Sequence, residues 1–268
     1  MSSERLKIGV FDSGLGGLTV VQAMMENIKG AEIFYLADTK HAPYGEKSKD
    51  EIIRYALEIT DYFIQTYHID ALVVACNTAT TAAIHVLRQR YPSLIIVGTE
   101  PGIKPAIEKT CSGKVGILAT PATLKSEKYQ ALLERLASSE MFELYEQACP
   151  GLVEQIENDR LHSKETQQML EAWLLPMKKA GVDTIVLGCT HYPLAVEKMK
   201  QIMGEGVLFV DTGEAIARRL RMLAIKAGHN DSGTVALTLL STGKISSSLV
   251  SRILGRPVTI RQITLHAI

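Results

Sequence analysis

The chain is short of several things, and each shortage closes off a class of function. Aromatic residues make up only 6% of its 268 residues, with one Trp and five Phe, too few for a platform that stacks nucleic-acid bases. Neither sign of charge dominates. Lys and Arg number 29, as do Asp and Glu, so no basic surface is implied, and neither nucleic acid nor an anionic membrane is an expected partner. No apolar run approaches the ~18 residues needed to cross a bilayer; the longest, such as Ala71–Cys76, are strand-sized. The opening MSSERLKIGVFDSG lacks the apolar stretch of a secretion signal. Four cysteines are few for a disulfide framework. At 76, 111, 149 and 189 they form no CxxC pair, so no metal site is expected. A cytoplasmic, soluble protein is expected.

What is present is ordinary globular composition, 46% apolar and 22% charged, in line with soluble domains. Length over ~150 gives about 1.8, hence one large or two modest domains, ample for a core without staples. Short Val- and Ile-rich runs alternate with amphipathic segments. Strands are expected at Leu6–Phe11, Glu32–Leu36, Ala71–Ala75, Leu94–Val97, Val115–Ala119, Phe142–Tyr145, Thr184–Gly188 and Val207–Val210. Helical patterns fall at 17–28, 49–67, 78–90, 123–137, 164–180, 193–203 and 212–227. Strands apolar on both faces, alternating with helices, predict a parallel, doubly wound α/β architecture. A later stretch, Thr234–Leu240, Ser246–Leu254 and Val258–Arg261, reads as a return to the first sheet.

An internal repeat organises the chain. Ile69 to Thr78 (IDALVVACNT) aligns with Val182 to His191 (VDTIVLGCTH), an offset of 113 (189 − 76). Lys7 to Asp12 (KIGVFD) aligns with Lys114 to Ala119 (KVGILA) at an offset of 107 (114 − 7). Each half thus has an opening strand and a later strand ending on a cysteine. Two pseudo-symmetric doubly wound lobes are expected, with mostly parallel sheets and the active site in a cleft between them. The lobes are placed at 1–97 with 212–268, and at 98–211.

Ligands of open α/β sheets bind beyond the carboxyl ends of the strands, where Cys76 and Cys189 stand, each just before an expected helix. A helix N-terminus favours thiolate over thiol. One such cysteine would read as a small core residue; two at equivalent repeat positions, followed by Asn77-Thr78 and by Thr190-His191, favour a functional reading. Cys111, in a polar turn, matches nothing in the repeat and is expected to be incidental; Cys149, in a loop before Pro150-Gly151, could approach the cleft, but a structural role is the favoured reading. The loop Asp12-Ser13-Gly14-Leu15-Gly16-Gly17 could simply cap the next helix, or offer backbone N–H groups to an anion while Asp12 receives an ammonium group or a proton. It is neither GxGxxG nor a P-loop. His191, two residues past Cys189, is a plausible proton partner. Pro43-Tyr44-Gly45 is either an ordinary turn or a rigid wall of the site.

In order and spacing, DSGLGG at 12–17, PYG at 43–45, ACNTAT at 75–80 and GCTHYPL at 188–194 resemble the glutamate racemase signatures, and the resemblance covers essentially the whole chain. Aspartate and hydantoin racemases share the paired cysteines but not the D-S-G-x-G-G opening. The resemblance implies cofactor-independent interconversion of L- and D-glutamate, supplying D-glutamate for peptidoglycan. It implies that Cys76 takes the proton from D-glutamate, assisted by Asp12, and Cys189 from L-glutamate, assisted by His191. Ser13, Tyr44, Gly45, Asn77, Thr78, Thr120 and Thr190 would hold the substrate's carboxylates and ammonium group, with Pro43 beside them. Family members also bring a glutamate from the loop after the second lobe's third strand near the site. Glu154 and Glu157 are the candidates, with Glu157 preferred. Some members carry an N-terminal extension linked to activation by a wall precursor; this chain begins only a few residues before its first strand, and such activation is not expected. No pyridoxal lysine and no metal need be invoked, and a homodimer is expected. A non-catalytic amino-acid-binding protein and a thiol redox protein are the competing readings.

Overall fold

A computed structural model describes residues 5–136 and 142–265. The chain forms β1 (Leu6–Asp12), α1 (Gly17–Asn27), β2 (Ala31–Ala37), α2 (Lys49–Tyr67), β3 (Ala71–Val74), α3 (Asn77–Arg90) and β4 (Ile95–Gly98). It continues through α4 (Ile103–Lys109), β5 (Lys114–Ala119), α5 (Pro121–Leu124), α6 (Glu127–Leu136), β6 (Glu143–Ala148), α7 (Leu152–Glu157), α8 (Lys164–Ala180), β7 (Thr184–Gly188), α9 (Val196–Met203) and β8 (Leu208–Val210). It ends with α10 (Gly213–Lys226), β9 (Ala236–Ser241), α11 (Ser247–Leu254) and β10 (Ile260–Gln262). Two compact units result, 1–99 with 213–268 and 100–212. Among the described residues, no helix is long and apolar enough to cross a membrane.

The first unit holds a six-stranded parallel sheet in the order β10-β9-β2-β1-β3-β4. The second holds a four-stranded parallel sheet in the order β6-β5-β7-β8. Stripped of β9 and β10, the two orders are the same. The sequence repeat is therefore a repeat of topology, and it extends to the register. Phe11 lies opposite Val74 in one sheet, and Leu118 lies opposite Leu187 in the other, so each cysteine stands two residues beyond an equivalent rung. The later strand–helix–strand stretch does return to the first sheet, extending it beyond β2.

Both sheet faces are covered, which is why the strands are almost continuously apolar. In the first unit, residues of α1, α10 and α11 pack on one face around Ile8, Val10 and Ile33. Residues of α2 and α3 pack on the other around Phe11, Leu36 and Val74. In the second, α7, α8 and α9 line one face and α4 and α6 the other. Local signals start the helices where packing needs them: Ser48 and Glu51 form a reciprocal capping box on α2, and Ser163 caps α8, each satisfying amides that would otherwise be orphaned.

Several boundaries differ from the sequence reading. The pattern at 123–137 is two helices, α5 and α6, because the Thr120 hydroxyl caps a short first turn that ends at Lys125; position 137 lies outside the described residues. The pattern at 193–203 begins with a 3₁₀ turn, Tyr192–Ala195, before α9. The expected strand at Phe142–Tyr145 runs instead over Glu143–Ala148; this edge strand is polar and half-exposed, so it shows no apolar run. Helices α4 and α7, of 7 and 6 residues, were not anticipated, being too short for a helical period to register.

Candidate active site

In each sheet the chain crosses from its opening strand to one neighbour and later returns to the other side, so the crevice of a doubly wound fold opens at the carboxyl ends of β1 and β3, and of β5 and β7. Those ends carry Asp12 and Cys76 in the first unit, and Thr120 and Cys189 in the second. The sequence puts chemistry there because the strand interiors are saturated with backbone pairing and apolar packing.

In the first unit Asp12 is fully buried. Its carboxylate accepts the Ser13 and Gly17 amides, each at 2.7 Å. Two of the loop amides thus hold Asp12 itself. Gly17 is required for this approach, since a Cβ there would lie 2.8 Å from the Asp12 Cβ and 2.9 Å from the Tyr35 ring. Cys76 is the N-cap residue of α3 and gives that helix no side-chain cap bond. Asn77 and Thr78, in the first turn, are buried. The Asn77 Oδ1 is buried without a hydrogen-bond partner, an acceptor awaiting a donor. Pro43 leads into a 3₁₀ turn, Tyr44–Glu46, that includes Gly45.

Tyr44 is buried and donates its hydroxyl to Asp38 Oδ2 at 2.6 Å. Burial, then the charge and hydrogen bond of Asp38, push its pKa well above the ordinary tyrosine value, and Cys76 and Asp12 add to this. Asp38, wholly buried, also accepts the Thr242 hydroxyl at 2.6 Å and meets His41 Nδ1 at 2.9 Å. Its own amide donates to the Asp12 carbonyl at 2.9 Å. Sequence reasoning missed Asp38, His41 and Thr242. Asp38 follows directly on β2 and could have been flagged by the strand-end rule, whereas Thr242 is 204 residues away.

In the second unit Cys189, contrary to expectation, does not stand directly before an α-helix; α9 starts only at Val196, whereas Cys76 is the N-cap residue of α3. The Cys189 Sγ instead faces His191 Nδ1 at 3.8 Å, and His191 Nε2 meets Glu157 Oε1 at 2.7 Å. Burial works against an imidazolium here, but the hydrogen bonds and charges of Cys189 and Glu157 outweigh it and hold the His191 pKa well above the usual histidine value. Of the two glutamates left open, Glu157 makes this contact. Both it and Glu154 stand on α7, after the unit's second strand in chain order, and not in a loop after its third. Thr120 and Thr190 are buried, and the Thr120 hydroxyl accepts the Thr123 amide at 3.2 Å while donating to the Thr123 hydroxyl.

Cys149 is buried in the same apolar cluster as Cys189 and Tyr192. Burial first, then the Cys189 charge, push its thiol far above the ordinary range, and its carbonyl accepts the Tyr192 hydroxyl at 3.4 Å. Cys111 is exposed and its amide caps Asp183. Among the described residues, no group of three or more His, Cys, Asp or Glu is placed to hold a metal ion.

Each unit thus carries a buried thiol two residues beyond an equivalent rung of its sheet. Residues 8–220 match the Asp/Glu/Hydantoin racemase family, and the chain belongs to that family. It is 57% identical over 249 residues to the glutamate racemase of Sulfurovum sp. (strain NBC37-1), covering 93% of this chain and 94% of that protein. The crystal structure of glutamate racemase isoform RacE1 from Bacillus anthracis superposes with a TM-score of 0.85 at 32% identity, over 98% of each chain. That of Escherichia coli glutamate racemase, in complex with L-glutamate and the activator UDP-MurNAc-ala, does so with a TM-score of 0.82 at 32% identity, over 98% of this chain and 99% of that one.

Proposed function

We propose that this chain interconverts L- and D-glutamate with two thiols, Cys76 on one face of the substrate Cα and Cys189 on the other. The observation that carries the reading is the equivalence of the two cysteines, two residues beyond matching rungs of two sheets of the same strand order. A racemase needs a base and an acid on opposite faces, and a thiolate and a thiol supply them. In the L-to-D direction the Cys189 thiolate takes the α-proton, the electron pair passes into the α-carboxylate, and the Cys76 thiol returns a proton to the other face. The reverse direction exchanges the roles.

Asp12 assists Cys76 and His191 assists Cys189, with Glu157 orienting the His191 ring through Nε2. The Asn77 Oδ1, short of a donor, suits the substrate's ammonium group. Ser13, Tyr44, Gly45, Thr78, Thr120 and Thr190 supply the remaining polar contacts, with Pro43 setting the turn that presents Tyr44. Fixed donors on the carboxylate stabilise the charge that develops there. Every step runs through side chains of the chain itself. The D-glutamate formed would serve peptidoglycan synthesis in the cytoplasm, and a homodimer is the assembly expected of the enzyme.

The test is incubation with L-glutamate in heavy water, following optical rotation and the Cα proton. Two bases predict that the product enantiomer gains deuterium while recovered starting material stays protiated early on. Equal early labelling of both enantiomers would indicate a single base. No loss of rotation at all would leave a binding protein, and loss with aspartate alone would change the substrate.

A further inference from the structure

We propose that Asp38 is a positioning residue that fixes which way the Tyr44 hydroxyl points, so that Tyr44 meets the Cys76 side of the site as a hydrogen-bond acceptor only. The inference rests on the racemase reading and adds a residue to it. Asp38 is fully buried at the carboxyl end of β2, and three side-chain groups converge on it. Tyr44 and Thr242 donate hydroxyls at 2.6 Å each, to Oδ2 and Oδ1 respectively. The third, His41 Nδ1, lies 2.9 Å from Oδ2. Two of the three have an anchor of their own. Thr242 accepts the Lys40 amide at 3.1 Å, and the His41 ring stacks on Tyr55 with centroids 4.0 Å apart. The carboxylate therefore cannot turn away without breaking several bonds at once.

The Tyr44 hydroxyl has one proton to give, and it gives it to Asp38 Oδ2. With its one proton committed to Asp38, the Tyr44 oxygen has only lone pairs left. Tyr44 and Cys76 belong to one buried cluster, and the charge of Cys76 acts on the Tyr44 hydroxyl, so on this proposal those lone pairs face an N–H of the substrate's ammonium group or the Cys76 S–H. Were Asp38 an amide, its NH₂ could donate to Tyr44 and turn the phenolic proton into the site. There it would compete with the donors that a cationic substrate brings.

The test is a double-mutant cycle on purified protein with glutamate, the parent being assayed first. Asp38→Asn keeps the volume and reverses the polarity; Tyr44→Phe removes the hydroxyl. Each is expected to lower kcat/KM by about ten-fold or more, the loss falling on KM if the ammonium group is the partner and on kcat if the thiol is. The pair together should be no worse than the poorer single variant, because residues acting through one another are not additive. Fold-losses that multiply would overturn the proposal. Thr242→Val, which leaves both Asp38 and Tyr44 in place, should stay within about three-fold; a loss matching that of Asp38→Asn would make the carboxylate a staple for strand ends. If Asp38→Asn does not fold, Tyr44→Phe decides alone, and activity within two-fold of the parent overturns the proposal. Absence of racemisation in the parent would instead sink the racemase reading itself.

Discussion

The two units answer the same problem with the same scaffold and different chemistry. Both place a cysteine beyond the third repeated strand, at the same register. Around Cys76 the setting is made by backbone: a helix of 14 residues starts directly after it, and Asp12 is held by the amides of Ser13 in the loop and Gly17 at the start of α1. Around Cys189 the setting is made by side chains: a 3₁₀ turn replaces the helix start, and the Sγ faces His191, itself paired with Glu157. The repeated fold thus keeps the place of the cysteine, while the groups around it differ. The reason is geometric. Strand order and register fix the position of a strand end, but the few residues that follow are free to vary.

The strongest way to break this comparison is to remove the thiols. Cys76→Ser and Cys189→Ser should each lower racemisation on the order of 10³-fold or more, with the circular dichroism of the parent, since an alcohol is a far poorer base than a thiolate. Near-normal turnover by either variant would end the two-base assignment.

Next come the helpers. Asp12→Asn and His191→Asn should each cost on the order of 10²–10⁴ in kcat/KM. Enantiomers have equal free energy in water, so that loss must be the same in both directions for any variant. The asymmetry between the units should show in kcat alone, skewed in opposite senses by the two substitutions. Initial rates from each enantiomer measure this, and skews in the same sense would place both residues on one face.

Glu157→Gln sharpens the comparison further, because it acts on the pair with His191 beside Cys189. Losing a hydrogen bond to a charged group, about 1.5–3 kcal/mol, corresponds to about a ten- to hundred-fold fall in rate. It also carries a pH signature. The native pKa of His191 is raised above the unfolded value of ~6.5, so the stability its protonation contributes is complete below ~6.5 and is lost as pH rises through the native pKa. The thermal midpoint of the parent should therefore exceed that of Glu157→Gln most near pH 6, and the gap should close in alkali. A gap independent of pH would mean that Glu157 does not support the imidazolium.

The smallest effects concern the shared scaffold. Gly9 and Gly116 are repeat equivalents on β1 and β5. A Cβ at Gly9 would sit 2.8 Å from the Phe63 ring, and one at Gly116 would sit 2.9 Å from the Met177 sulfur. A buried ring cannot yield as a flexible thioether can, so Gly9→Ala should cost about 1–3 kcal/mol in denaturant unfolding and Gly116→Ala less. The reverse ranking would show that the second unit is packed more tightly there. Cys111→Ser, at the exposed turn, should stay within about 0.5 kcal/mol of the parent in stability and match it in rate.

By itself the sequence determined the class of fold and the seats of the two thiols. Continuous apolar strands, alternation with helices and a repeat at offsets of 113 and 107 each reflect short-range or self-similar constraints that a linear reading can detect. It also marked Asp12, Tyr44, Asn77 and His191, because each lies within a compact motif at a strand end or turn. What it could not determine were contacts between distant segments. That Thr242 reaches Asp38 depends on β9 docking beside β2. The choice of Glu157 over Glu154 depends on α7, a helix too short to register as a period, turning Glu157 towards His191. The different settings of Cys76 and Cys189 depend on whether a 3₁₀ turn or an α-helix follows the strand, a matter of a few backbone dihedrals in segments that both begin with Cys and Asn or Thr. Periodicity and motif are local properties of the chain, whereas hydrogen-bond partners are set by packing, and only the folded structure brings those atoms within reach.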